Sequence, residues 1–224
     1  MTEPRPTLLS WSSGKDSAWA LHCLNESPDY RVCALITTFN TEADRVAMHA
    51  VRRSLVQQQA EAAGLPLIEI ELPWPCPNAE YEQRFGSAVS AAAERFAARH
   101  IAFGDLFLDD IRGYRERQMT ELNLEPVFPL WGEPTDQLAR SMLDGGLCAT
   151  ITCVDPRQLD AELAGCRWDQ ALVQALPDSV DPCGENGEFH TFTWAGPMFA
   201  AEIGIRTGER VDRDGFRFAD VLPA

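Results

Sequence analysis

Short apolar runs alternate with longer stretches at helical spacing over roughly the first hundred residues. Thr7 to Trp11, Val32 to Phe39, Leu67 to Leu72 and His100 to Phe103 have the length and composition of buried strands. Between them, Asp16 to Asn25 and Val46 to Ala63 are predicted helices, the second with Val51, Leu55 and Ala60 on one side and Gly64-Leu65-Pro66 as its stop. A third helix carries Tyr81, Phe85, Val89 and Phe96. Strand and helix in turn predict an α/β fold, a parallel sheet covered by helices.

Asp109 to Leu122 is a predicted helix whose alternating charges suit a solvated face. The segment Glu125 to Gly132 ends it with two prolines and a glycine, and the domain boundary is placed there, giving units 1–125 and 126–224. Beyond it the pattern predicts a helix from Thr135 to Leu143 ending at Gly145-Gly146, a strand from Leu147 to Val154, and a helix from Asp155 to Leu163. The tail from Asp181 is expected to be loop and short strands.

Charge narrows the partners. With 34 acidic against 19 basic residues the formal net charge is −15, which disfavours a nucleic acid held through its phosphate backbone but leaves room for a local pocket for one nucleotide. No apolar run is long enough to span a membrane and the first residues lack the layout of a secretory signal, so the expected location is the cytoplasm. A homo-oligomer is left open. Seven cysteines without a Cys-x-x-Cys pair argue against a disulfide framework and a four-cysteine zinc site.

The chemistry starts at Ser12-Ser13-Gly14-Lys15-Asp16-Ser17, between the first strand and the first helix. Free backbone N–H groups and the positive end of a helix favour an anion, glycine permits close approach, and the serine hydroxyls and Lys15 add donors. Asp16 suits a site for Mg²⁺, which would neutralise phosphate oxygens. A Walker loop is excluded: its upstream glycine is missing and Asp16 stands where that motif needs a hydroxyl. The segment resembles the pyrophosphate-binding loop (PP-loop) of the N-type ATP pyrophosphatases, Ser-Gly-Gly-x-Asp-Ser, with Ser13 in place of the first glycine. Enzymes with that loop cleave ATP between the α and β phosphates.

A second motif lies late in the chain, where residues 181 to 192 carry Glu185, Asn186, Glu188, His190 and Thr191, followed by Gly196-Pro197-Met198-Phe199. In an extended stretch Glu188 and His190 share a face, so an acid and an imidazole could meet one ligand; the alternative is a glycine turn whose acids cap backbone amides. A zinc site at Cys183, Glu188 and His190 has too few ligands at the wrong spacing. Together with Phe103-Gly104-Asp105 and Pro129-Leu130-Trp131, these segments resemble the diphthine-ammonia ligase family across essentially the whole chain.

That resemblance implies a Rossmann-like (HUP-type) nucleotide-binding domain, a smaller C-terminal α/β domain for the substrate, and an ATP-dependent ligase. A carboxylate would be activated as an acyl-adenylate, with pyrophosphate released, and ammonia would then displace AMP. Carried over by position, Ser12 to Ser17 hold the phosphates and Mg²⁺. Thr37, Thr38, Gly104 and Asp105, at the carboxyl edge of the predicted sheet, serve the rest of the nucleotide. His49, Asp109, Arg112, Asn186 and Thr191 face the substrate, and Lys15, Asp16, Glu185, Glu188 and His190 serve the chemistry. The family's Tyr-Gln pair is Asp110-Ile111 here, and its second arginine is displaced to Arg115, so a carboxylate other than diphthine is allowed. Two further readings are a PP-loop enzyme transferring sulfur to tRNA and a nucleotide-binding regulator without turnover.

Overall fold

A computed structural model describes residues 3–46 and 49–224. Its first layer is a sheet whose parallel strands are β1 (Arg5–Ser10), β2 (Tyr30–Asn40), β4 (Leu67–Leu72), β5 (His100–Ala102) and β6 (Glu125–Val127). They lie in the order β4-β2-β1-β5-β6, and the two-residue β3 (Arg45–Val46) adds antiparallel to the end of β2. Strand order therefore reverses between β1 and β5, the position where open α/β sheets bind ligands beyond their carboxyl ends.

Alternation along the strands explains the two helical layers. Leu9 and Leu35 point into a cluster with Leu21 and Leu24 of α1 (Lys15–Glu26) and Leu55 and Val56 of α2 (Arg53–Ala63). Their neighbours Leu8, Ala34 and Ile36 point the other way, against Phe85 and Val89 of α3 (Asn78–Phe96) and Met119 of α4 (Asp109–Glu121). Both faces of the central strands are thus covered, which is why Leu8-Leu9 and Val32 to Ile36 are continuously apolar, whereas outlying β4 carries Glu69 and Glu71.

After α5 (Thr135–Asp144) the chain forms an antiparallel sheet around β7 (Cys148–Val154). β9 (Phe189–Ala195) pairs along one edge of β7, while β8 (Arg167–Trp168) and β11 (Phe216–Pro223) pair with it elsewhere; β10 (Ile205–Arg213) completes a hairpin with β11. The chain is an α/β protein with a Rossmann-like sheet and a smaller C-terminal α/β region. A continuous apolar cluster runs from Leu9 and Trp11 to Ile151, Trp168 and Phe192 and joins the two sheets.

Four expectations need correction. The helix expected from Val46 begins only at Arg53, because Val46 pairs with Phe39 and donates its N–H to the Val51 carbonyl (2.9 Å), while Ala50 turns the chain at φ 53°. Asp155 to Leu163 is a turn with one 3₁₀ segment, Ala161–Leu163: the Asp155 carboxylate takes the Arg157 N–H (3.0 Å) and Gln158 Nε2 (3.0 Å), and Asp160 restarts the chain in an extended conformation. Glu125 to Val127 is an edge strand, where Pro126 is tolerated. The tail contains a hairpin of nine- and eight-residue strands, turned at Asp214-Gly215 with both φ positive.

Candidate active site

The loop after β1 is shaped from behind. Ser13 sits at φ 71°, a left-handed conformation that explains why glycine suits this position. Its carbonyl accepts from the Thr193 N–H of β9 (3.0 Å) and from Gln59 Nε2 (3.0 Å); Gln59, fully buried on α2, also donates to the Thr193 carbonyl (2.6 Å) and accepts from Trp11 Nε1 (2.8 Å). One side chain therefore clamps the loop, the strand before it and the second sheet. Gly14 caps α1, with no side-chain cap. The Lys15 N–H donates to Thr191 Oγ1 (3.1 Å), and Ser12 and Ser17 pair through their hydroxyls (3.1 Å).

Beside α1, the loop after β5 comes unusually close. A Cβ on Gly104 would lie 2.9 Å from the backbone C of Asp16 and the backbone N of Ser17, so only glycine fits without displacing the start of the helix. These two loops, the chain around His49, the turn at Cys183 to Glu185 and the start of β9 enclose a cleft of about 250 Å³. It lies beyond β1 and β5, at the reversal point of the sheet.

Three carboxylates reach this cleft: Asp16, Asp105 and Glu185. Burial pushes the Glu185 carboxyl up to about 7, opposed by a hydrogen bond from the Leu106 N–H (2.8 Å) and reinforced by Asp16 and Asp105. Asp105 is likewise raised by burial, against the pull of Arg115. Lys15 is 2% exposed and lies beside the rings of Phe189 and Trp168; burial alone would lower its pKa, but the adjacent Asp16 carboxylate, with Cys183 and Glu185 nearby, holds it above the ordinary value. Its ammonium donates to both Asp16 oxygens (2.9 Å each) and to the Cys183 carbonyl.

His49 and His190 lie against each other with ring centroids 4.6 Å apart and planes tilted by 36°, and His49 Nδ1 lies 3.2 Å from the Thr191 carbonyl. Burial lowers His49 to about 4 and His190 to about 3, so both are neutral near pH 7. The cleft lining thus combines a polar, uncharged pair with the three carboxylates.

The structure brings together Ser12, Lys15, Asp16, Ser17, His49, Gly104, Asp105, Glu185, His190 and Thr191. Other expected residues lie elsewhere. The Glu188 side chain is 1% exposed and belongs to the preceding turn, where Oε1 accepts from the Asp181 N–H (2.9 Å) and Asn186 Nδ2 (3.1 Å). Glu188 and His190 therefore do not share a ligand-facing side, because Glu188 precedes β9 and closes the turn. Exposed Asn186 belongs to the same closure. Thr37 is buried, donating to the Trp11 carbonyl (2.8 Å); Thr38 is a half-buried strand residue in register with Ile70, and neither lines the cleft. Asp109 is exposed at the start of α4, and Arg112 stacks on Phe128 and Trp131 (4.9 and 4.7 Å) while pairing with Glu116 (2.8 Å).

Sequence reasoning missed Arg115 and the Cys183 carbonyl as cleft components, and Gln59 as support. A glutamine amid the apolar positions of α2 was the available signal for the last.

The comparisons with known proteins agree with this layout. Residues 6–125 match the family model described as "Diphthamide synthase N-terminal domain", and residues 134–220 match "Diphthamide synthase C-terminal domain". The chain belongs to the diphthamide synthase family. Among its relatives are proteins named "Diphthine--ammonia ligase" from Mus musculus, 26% identical over 94% of this chain and 86% of the relative, and from Homo sapiens with the same figures. The relative of that name from Danio rerio is 25% identical over 94% of this chain and 90% of its own.

Proposed function

We propose that this family member is an ATP-dependent ligase that forms an amide from a carboxylate and ammonia. The observation that carries the reading is the cleft at the reversal point, where the PP-loop-like segment, the Gly104 loop and the turn holding Glu185 converge. Residues 1–125 are assigned to ATP and residues 126–224 to completing the substrate side.

In this reading the phosphates of ATP lie against the first turn of α1, where helix-end N–H groups favour anions. Asp16 fits an Mg²⁺ position: it lines the cleft, its side chain remains 26% exposed, and magnesium needs only one or two carboxylates besides phosphate oxygens and water. The ion would supply charge neutralisation of the phosphates. A carboxylate oxygen of the substrate attacks the α phosphorus and pyrophosphate leaves, so that no protein nucleophile is required. Ammonia then adds to the acyl carbon and AMP departs. The proton shed by the attacking nitrogen passes to Glu185, whose pKa near 7 suits a base at neutral pH better than histidines lowered to about 4 and about 3.

The relatives' name points to diphthine as the carboxylate, and we assign this chain a carboxylate of that kind, on a protein or free. Sulfur transfer is disfavoured by the cleft's cysteine: Cys183 is buried, which raises its thiol pKa, and its Sγ donates to the Thr135 carbonyl. The test is an extract from the source organism supplied with ATP and 15N-labelled ammonium. Label appearing in an acid-stable amide only when both ATP and the protein are present supports the reading; ATP consumption without label in any product would refute it.

A further inference from the structure

Among the described residues, the cleft wall carries two permanently basic side chains, Lys15 and Arg115, and they stand in opposite situations. Lys15 is enclosed and already engaged, with both oxygens of Asp16 and the Cys183 carbonyl around its ammonium. It ties the start of α1 to the turn before β9. The Arg115 guanidinium lies over the Phe103 ring, 4.8 Å from its centroid, a contact that helps hold the group in place. Its Nε is buried and has no hydrogen-bond partner among the described residues.

The nearest carboxylate does not satisfy it. Asp105 Oδ2 is 3.8 Å away, beyond hydrogen-bond distance, and is also buried without a partner. A buried donor left open is costly unless something else completes it, and an anion can do so for Arg115, whereas Asp105 Oδ2, an acceptor, needs a donor or a cation. The location of Arg115 points to which anion does so. Asp105 follows Gly104, whose backbone packs on Asp16 and Ser17, so Arg115 sits beside the helix end that favours phosphate. A triphosphate entering there meets Asp16, Asp105 and Glu185, with Lys15 committed elsewhere.

We propose that Arg115 is the side chain that receives a phosphate oxygen of ATP in this cleft, while Lys15 acts as a buried brace. The inference rests on the cleft being an ATP site and adds to it which cation the nucleotide meets. A guanidinium held over an aromatic ring presents a planar fork of donors that suits phosphate in a way that a lysine ammonium does not.

Calorimetric titration of ATP into the full-length chain tests this. Arg115→Gln is expected to weaken binding about tenfold or more, as for a lost charge-assisted hydrogen bond. Arg115→Lys is expected to recover part of the loss, and Arg117→Gln, the same charge change at an exposed site on α4, to leave affinity unchanged. Equal affinity of Arg115→Gln and the parent chain, with matching circular dichroism, would overturn the proposal. Should Arg115→Gln fail to fold, Arg115→Lys carries the test, and parental affinity in that variant overturns it too. The outcomes for function are separable: a parent chain that binds ATP through Arg115 yet makes no amide refutes the ligase reading alone, whereas a parent chain that does not bind ATP refutes both.

Discussion

The loop at residues 12–17 and the turn at residues 181–188 resemble each other in composition, both rich in glycine and small or acidic polar groups, yet they use their hydrogen-bonding groups in opposite ways. The first is braced from behind by Gln59 and β9, and the open end of α1 faces the cleft. The second spends most of its groups on itself, with Glu188 Oε2 buried and without a partner among the described residues. Asp181 Oδ1 accepts from the N–H groups of Cys183 and Glu185 (2.8 and 3.3 Å), Gly187 N donates to the Gly184 carbonyl (3.1 Å), and Glu188 takes Asp181 and Asn186. Only the Glu185 carboxylate and residues 183 and 184 remain for the cleft. A dense polar motif is thus a ligand site only where groups left unspent also line a cleft.

The contrast can be broken most severely at Gly104. In Gly104→Ala the new Cβ meets backbone rather than a movable side chain, so the start of α1 must shift; nucleotide turnover should be essentially lost, with about 1–3 kcal/mol of stability. Steady-state assays and thermal unfolding would show both. Gln59→Ala comes next, leaving buried Trp11 Nε1 without its acceptor and removing the Gln59 donor from the Ser13 and Thr193 carbonyls, of which Ser13 keeps the Thr193 N–H; a loss on the order of 3 kcal/mol is expected by denaturant titration.

The two glutamates of the turn sharpen the comparison. Glu188→Ala should lower stability by about 1–3 kcal/mol, because it strips a partner from the buried turn. Glu185→Gln keeps an acceptor for the Leu106 N–H, so its unfolding should change little at acid pH while amide formation falls by about 10²-fold. Equal behaviour of the two variants in both assays would contradict the division between architecture and chemistry.

The pH dependence follows from the same groups. Because the folded-state pKa of Glu185 is raised from 4.5 to about 7, its contribution to stability is complete below 4.5 and is lost as pH rises through about 7. Glu185→Gln should therefore gain stability relative to the parent chain between pH 5 and about pH 8. For His49 and His190 the sign is reversed. Their pKa values fall from 6.5 to about 4 and about 3, so their contribution is present above 6.5 and is lost as pH drops toward those values. Replacing both with glutamine should flatten the acid limb of the stability profile.

The smallest effect is expected at Ser13. Its positive φ costs on the order of 1 kcal/mol, which glycine relieves while adding freedom to the unfolded chain, so Ser13→Gly should shift stability by less than about 1 kcal/mol and keep turnover.

Much of the first sheet was legible because its central strands are apolar on both faces and α2 carries a clear stop at Gly64 to Pro66. The site was legible where chemistry is local in sequence: residues 12–17 form one loop, and Gly104-Asp105 directly follows a strand. Contacts spanning long sequence separations were not. Nothing local marks Gln59 as the partner of Ser13 and Thr193, or Arg115 as a neighbour of Asp105 across the start of α4. Alternation also misled at Glu188, since the chain becomes extended only from Phe189 onward. The C-terminal hairpin was under-read because β10 is largely exposed and polar, which hides its length from a hydrophobicity pattern.

The most direct measurement identifies the nucleotide products when the protein is incubated with ATP, Mg²⁺, ammonium and a carboxylate-containing extract, beside an Asp16→Ala control. AMP and pyrophosphate, dependent on the extract and lost in the control, are the expected products. ADP and inorganic phosphate would contradict cleavage between the α and β phosphates and with it the assignment of the loop after β1.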